Sequence, residues 1–259
     1  MGAFLVFSLA FLTPTHGLPV AIASTEVVQV RHALDGDSLV LTDGRQVRLI
    51  GINTPEINPS SDKRKPATPQ PLAREAQRFV ATRVNGQTVT LHFETERTDR
   101  YQRLLAHVTL ADGTSLEEAV LRAGLGWTVA IPPNVSELAR LRAAETEARA
   151  ARLGVWEKTE YRPVAAERLT TKDGGFLVLT GTVRAFRQSA RNFYFELTPR
   201  VSLSVAREEW NRYFAAPAGP YATPQILIGH KIIARGWAST HAGKLRLRLT
   251  HPAMLTSPE

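Results

Sequence analysis

The sequence predicts an α+β, mainly β protein of two small barrels in tandem, the first with three helices packed on it and the second five-stranded. Three observations predict this. Short runs of apolar residues alternate with period two through both halves of the chain. Helical periodicity is concentrated in three stretches between residues 72 and 152. A linker-like segment at 159–171 precedes a pattern that is almost all strand. A length of 259 residues, 43% hydrophobic and 22% charged, suits two small cores of this kind.

Residues 1–23 contain no Lys, Arg, Asp or Glu and run from an apolar block at 3–12 through Pro14 and Pro19 to the small residues around Ala23. This reads as a signal peptide with a small-residue cleavage site, which makes the mature chain periplasmic or secreted. Retention of residues 3–23 as a membrane anchor is the alternative. Alternation at 27–33, 38–41 and 46–52, with Asp43-Gly44 between the last two, predicts three strands and a hairpin. Residues 59–71, rich in Pro, Ser, Lys and Arg, read as a mobile loop. Apolar spacing at Leu72, Ala76, Phe79 and Val80 then predicts a helix over 72–84, stopped by Asn85-Gly86. Strands at 88–93 and 104–110 follow, then helices at 116–123 and 136–152, ended by Gly124 and Gly154.

Beyond the linker the predicted strands are 176–186, 192–197, 201–205, 226–237 and 245–250. A short amphipathic helix at 208–214 lies between the third and fourth, which is the order of an OB-fold. In the last strand Leu245, Leu247 and Leu249 share one face and Arg246 and Arg248 the other. The expected organisation is a leader at 1–23, a first domain at 26–157, a linker at 158–173 and an OB-like domain at 174–254.

The chain has no cysteine, which excludes disulfides, thiolate nucleophiles and zinc–thiolate sites and leaves oxygen or imidazole for any metal. The net charge of +8 is unevenly placed. Residues 24–158 hold 18 Lys and Arg against 17 Asp and Glu, and residues 159–259 hold 14 against 7. A field of this sign attracts polyanions such as nucleic acid or anionic lipid, although a merely solubilising basic surface is also common. Arg184, Arg187, Arg191, Arg246 and Arg248, with Tyr194 as a stacking ring between the core residues Phe193 and Phe195, make a candidate single-strand binding face.

In the first half, Asp35-Gly36-Asp37-Ser38 sets two carboxylates at a tight turn, a pattern that is also common in solvated turns. Arg48 shares strand parity with Ile50 and Ile52 while Val47 and Leu49 occupy the other face, so a guanidinium stands where a buried partner or a ligand is needed. A structural salt bridge satisfies the same requirement. Pro55 cannot donate to a ladder and holds Thr54 extended, so Glu56 leaves the sheet beside Arg48.

Asp35-Gly36-Asp37-Ser38, then Val47-Arg48-Leu49-Ile50-Gly51-Ile52-Asn53-Thr54-Pro55-Glu56, then Asp99-Arg100-Tyr101-Gln102-Arg103-Leu104-Leu105-Ala106, then Asp112-Gly113 and Gly124-Leu125 resemble, in order, the signature of the staphylococcal nuclease family. The resemblance covers roughly residues 26–157 and implies a five-stranded OB barrel with three helices. It implies that Asp37, Asn53 and the carbonyl of Thr54 hold calcium, that Glu56 is the general base, and that Arg48 and Arg103 clamp the scissile phosphate. The implied reaction cleaves DNA or RNA to a 3'-phosphate and a 5'-hydroxyl; the expected substrate is single-stranded or flexible, the expected state a monomer, and the basic OB-like second domain is read as an accessory that captures substrate and is separable from the chemistry. Three positions depart from the family pattern. Asn53 stands where it usually has Asp, Gln102 stands where it usually has Gly, and Trp127-Thr128-Val129-Ala130 lacks the tyrosines expected near a nucleotide.

Overall fold

The computed structural model describes residues 24–58 and 68–256. The leader at 1–23 and most of the loop at 59–71 therefore lie outside the described residues. The first half opens with β1 (Thr25–Ala33), β2 (Ser38–Leu41) and β3 (Gln46–Leu49), followed by the two-residue β4 (Ile52–Asn53). Helix α1 (Ala73–Val84), strands β5 (Thr88–His92) and β6 (Leu104–Thr109), helix α2 (Leu116–Arg122), strand β7 (Trp127–Thr128) and helix α3 (Leu138–Ala150) complete it. The strands close a barrel in the order β1-β2-β3-β6-β5. Strand β1 serves both ends of the sheet: Thr25–Gln29 pair with β5, and Val30–Ala33, past an irregularity at Arg31, pair with β2. Closure removes the sheet edges that a small open sheet would leave unpaired.

The predicted run 46–52 does not continue as one strand. Gly51 has φ +81, and a Cβ there would lie 2.3 Å from Leu141 of α3, so only glycine lets the chain turn beneath that helix. The turn moves Ile52 and Asn53 out of the barrel sheet and pairs them with Thr128 and Trp127 of β7, a strand that period-two reading does not reveal. Arg48 and Ile52 therefore do not share a strand. Val47 and Leu49 do fill the barrel core with Val30, Leu39, Leu91 and Val108.

After 3₁₀ turns at Gly154–Trp156 and Thr159–Tyr161, the segment read as linker carries strand β8 (Val164–Ala165) and the buried residues Ala166 and Leu169 of the second core. The second half contains β9 (Gly175–Thr182), β10 (Ala185–Gln188), β11 (Asn192–Glu196), β12 (Val201–Ala206), β13 (Lys231–His241), β14 (Lys244–Arg248) and β15 (Leu255–Thr256). The predicted strand 176–186 bends at Val183-Arg184. Its first half, β9, pairs with β13, and its second, β10, pairs with β11. Strands β11 and β12, the parallel pair β12 and β14, and the hairpin β14 and β13 complete the circuit. The sheet runs in the order β10-β11-β12-β14-β13-β9-β8, and with β9 and β10 consecutive across the bend its strand order matches that of the first barrel, the order of an OB-fold.

The helix between β12 and β13 is a single α turn (Arg207–Glu209) that continues as a π turn (Trp210–Phe214), with Trp210 and Phe214 buried against Phe193 and Phe195. The predicted strand 226–237 starts later, at Lys231. Pro224 instead begins a 3₁₀ turn over Pro224–Leu227, and Gly229 at φ +84 breaks the chain before the strand. Leu245, Leu247 and Leu249 are buried as the alternation predicts.

The two halves are bonded to each other. Arg235 of β13 forks onto Glu145 of α3, the Thr250 hydroxyl donates to the Ala130 carbonyl at 2.7 Å, and Trp127 touches both Tyr161 and Phe176. No helix among the described residues is long and apolar enough to cross a membrane.

Candidate active site

The candidate site lies where the β1–β2 turn, the end of β3 and the β4 segment converge. Gly36 is required there, because a Cβ would meet the Thr54 hydroxyl and the Ala76 methyl at 2.7 Å. The missing Cβ lets Asp37 close onto Thr54. The Asp35 carboxylate accepts from the Asp37 amide at 2.9 Å, an Asx turn that fixes the bend. Asp37 is 4% exposed and bonded on both oxygens. Its Oδ1 meets Arg48 Nη1 at 2.5 Å and the Ser38 hydroxyl at 3.2 Å, and its Oδ2 accepts from the Thr54 amide at 2.8 Å and the Thr54 hydroxyl at 3.1 Å. Burial first, and the neighbouring Asp37 charge second, push the Asp35 carboxyl up to about 7.

Arg48 has both the buried partner and the acceptors that its strand position demands. Besides Asp37 Oδ1 it donates to the carbonyls of Asp37 (3.2 Å) and Ile52 (3.1 Å) and to Asn53 Oδ1 (3.2 Å). Asn53 turns its amide nitrogen toward the Thr54 carbonyl at 3.4 Å. The amide thus bridges Arg48, which the resemblance assigns to the phosphate, and the Thr54 carbonyl, which it assigns to calcium, with its oxygen on the first and its nitrogen on the second.

Glu56 leaves this cluster with its backbone clamped by Gln70. The Glu56 amide donates to Gln70 Oε1 at 2.8 Å, and the Gln70 amide donates to the Glu56 carbonyl at 3.0 Å. The Glu56 carboxyl is raised above the usual carboxylate range by partial burial and then by the charge of Asp37, while Arg48 and Arg103 both pull it down. One carboxylate therefore lies within electrostatic reach of both guanidiniums.

Arg103 enters from the turn before β6. Its Nε and Nη2 meet Asp99 Oδ2 at 2.7 Å, and its amide donates to Asp99 Oδ1 at 3.0 Å. Gln102 adopts φ +64, the left-handed conformation that glycine takes without cost. Its amide still donates to the Asp99 carbonyl at 3.0 Å, so the turn and the direction of Arg103 are kept.

The first half thus bonds Asp37, Arg48, Asn53 and Thr54 to one another, with Glu56 two residues beyond them and within electrostatic reach of Asp37, Arg48 and Arg103. Three supporting residues were not assigned a role from sequence: Asp35, Asp99 and Gln70. Asp99, four residues before Arg103 in a turn, carries a readable signal. Gln70 does not, because its partner is fourteen residues away across a loop.

The predicted binding face of the second barrel is spread over β10, β11 and β14. Arg187 pairs across the ladder with Tyr194, and Arg246 lies over the Tyr194 ring at 4.6 Å. Arg187 is ion-paired with Glu196, Arg248 with Glu209 and Arg184 with Glu167, while Arg191 lies in the exposed β10–β11 hairpin.

The donors near Asp37 are all hard oxygens, which suits calcium. Among the described residues no group of three Asp, Glu or His side chains is placed to hold a metal ion. An ion there would therefore rest on Asp37 together with the amide oxygen of Asn53 and the carbonyl of Thr54.

The model of the family described as staphylococcal nuclease homologues matches residues 46–158. Thermonuclease of Staphylococcus hyicus is 30% identical over 163 residues, which cover 60% of this chain and 92% of that protein. Thermonuclease of Staphylococcus intermedius is 34% identical over 133 residues, 50% of this chain and 75% of that protein. Endonuclease YncB of Bacillus subtilis is 32% identical over 139 residues, 52% and 63% of the two chains. With the closed barrel, the ordered motifs and these relatives in agreement, the chain belongs to the staphylococcal nuclease family.

Proposed function

We propose that the protein is an exported, calcium-dependent endonuclease that hydrolyses phosphodiester bonds of DNA or RNA to leave a 3'-phosphate, and that its second barrel helps to hold the substrate. The observation that carries the reading is the bonded group of Asp37, Arg48, Asn53 and Thr54 with Glu56 two residues beyond it, its backbone clamped by Gln70 and its carboxyl within electrostatic reach of Arg48 and Arg103. A raised carboxyl is a better proton acceptor near neutral pH, which suits a general base for the attacking water. Arg103, with Nε and Nη2 on Asp99, is pre-oriented to present its guanidinium to a phosphoryl oxygen, while Arg48, whose two Nη groups are taken by Asp37, Ile52 and Asn53, contributes fixed positive charge beside it. Calcium, when bound by Asp37, Asn53 and Thr54, supplies positive charge beside the phosphorus. The names of the relatives, thermonuclease and endonuclease, support the same reaction class. Export rests on the uncharged apolar residues 3–12 and the small residues near 23.

The test compares the purified chain with Glu56→Gln on single-stranded DNA and RNA, with calcium and with chelator. A general base contributes about 10²- to 10⁴-fold, so the variant should lose activity by that factor with its fold unchanged. Equal cleavage by the two proteins would remove Glu56 as the base, and cleavage by neither would defeat the proposal and leave a nucleic-acid-binding protein without catalysis.

A further inference from the structure

Between the two barrels runs a cleft of about 780 Å³, whose walls pass from Asn53 and Glu56 over Trp127 and Tyr161 to Phe176 and Trp237. The four rings stand in sequence. Tyr161 meets Trp127 edge-on with 4.9 Å between centroids, Trp127 meets Phe176 at 5.3 Å, and Phe176 meets Trp237 at 5.3 Å. Packing between the halves accounts for the first three, which are buried or half-buried. It does not account for Trp237, which points outward from β13 on the same face as Arg235 and remains 37% exposed. An indole left open at the end of an aromatic row, on a wall continuous with the candidate base, is apolar surface kept for a flat ligand.

We propose that Trp237 is an open stacking platform for an unpaired base of single-stranded nucleic acid at the end of this cleft, with Phe176 and Trp127 packed behind it to hold it in place. The inference deepens the nuclease reading and rests on it for the identity of the cleft's other end. Bases of a single strand expose π faces that stack on aromatic rings, whereas a duplex hides them, so the platform selects flexible substrate. The cleft's charges nearly cancel, with Arg100 and Arg162 set against Glu56 and Glu160. Affinity here therefore comes from stacking more than from counterion release. The Arg187–Tyr194–Arg246 face is different in kind. It lies on β10, β11 and β14, away from the β9–β13 wall that meets the cleft, and Arg187 is paired with Glu196.

The experiment is titration of the full chain with an oligothymidine of about ten nucleotides in chelator, where cleavage does not interfere, against a duplex of equal length. Trp237→Ala should weaken single-strand binding by about 5- to 100-fold, the range one stacked base supplies. The salt dependence should be unchanged, and Trp237→Phe should restore most of the loss. Packing is preserved in Trp237→Phe, so the difference in tryptophan quenching between it and wild type reports the indole alone even if the alanine variant folds poorly. Unchanged single-strand affinity in Trp237→Ala, an equal loss for duplex, or quenching that is the same in wild type and Trp237→Phe would overturn the platform. A chain that binds through Trp237 yet cleaves nothing would refute the nuclease reading and leave this one standing.

Discussion

Arg235 and Glu145 meet across the two halves of the molecule in a parallel fork, Nη1 to Oε1 at 2.6 Å and Nη2 to Oε2 at 2.7 Å, with both side chains about nine-tenths buried. Glu145 also accepts from the Thr128 amide at 2.7 Å, and Thr128 lies in β7, the strand that pairs with Ile52 and Asn53. The second half is thereby bonded, through Glu145, to the strand that pairs with a candidate metal ligand.

Arg235→Ala leaves a carboxylate buried without its partner, a loss of about 3–5 kcal/mol. Denaturant unfolding should show a destabilisation of that size. Arg235→Met combined with Glu145→Gln removes both charges and keeps the acceptor for Thr128, so it should recover most of it. Removal of residues 159–259 should lower stability and activity together. A truncated chain as stable as the whole would show that the fork contributes nothing.

Asn53→Asp keeps the acceptor for Arg48, removes the amide that occupies the Thr54 carbonyl and adds a negative charge beside Asp37. The calcium concentration for half-maximal cleavage should fall by about 3- to 10-fold, since ligand charge tunes calcium affinity. A calcium titration of both proteins measures it, and identical midpoints would mean that residue 53 is not a ligand.

His107 sets a pH dependence. Burial lowers its pKa, but hydrogen bonds and charge from Glu117 and Glu94 outweigh burial and bring the ring up to about 9. The Nε2 contact to Glu94 Oε1 is 2.8 Å, and Nδ1 lies 3.6 Å from Glu117 Oε1. A group whose folded pKa is raised above its unfolded value of about 6.5 gives stability that is fully present below 6.5 and lost as pH rises through about 9. Unfolding free energy should therefore fall by roughly 3 kcal/mol between those limits. His107→Gln should flatten the profile over this window. An unchanged slope in the variant would assign the dependence to another group.

The sequence by itself determined the barrels. Alternation placed 38–41 as a strand, put Val47 and Leu49 in one core and Leu245, Leu247 and Leu249 in the other, and glycines marked the helix ends, because period and turn chemistry are local properties of the chain. The ordered motifs also carried Asp37, Arg48, Glu56 and Arg103. Tertiary structure alone decided how these residues are held: Gln70 clamping Glu56, Arg48 and Thr54 sharing Asp37, and Asn53 moved into a strand with Trp127 because Gly51 turns beneath Leu141. It also decided that Trp237, ordinary in its own strand, stands at the end of a row begun by Tyr161 and Trp127 in the other half. Each of these joins residues far apart in the chain, and only closure of the first barrel and packing of the two halves on each other bring them within bonding distance.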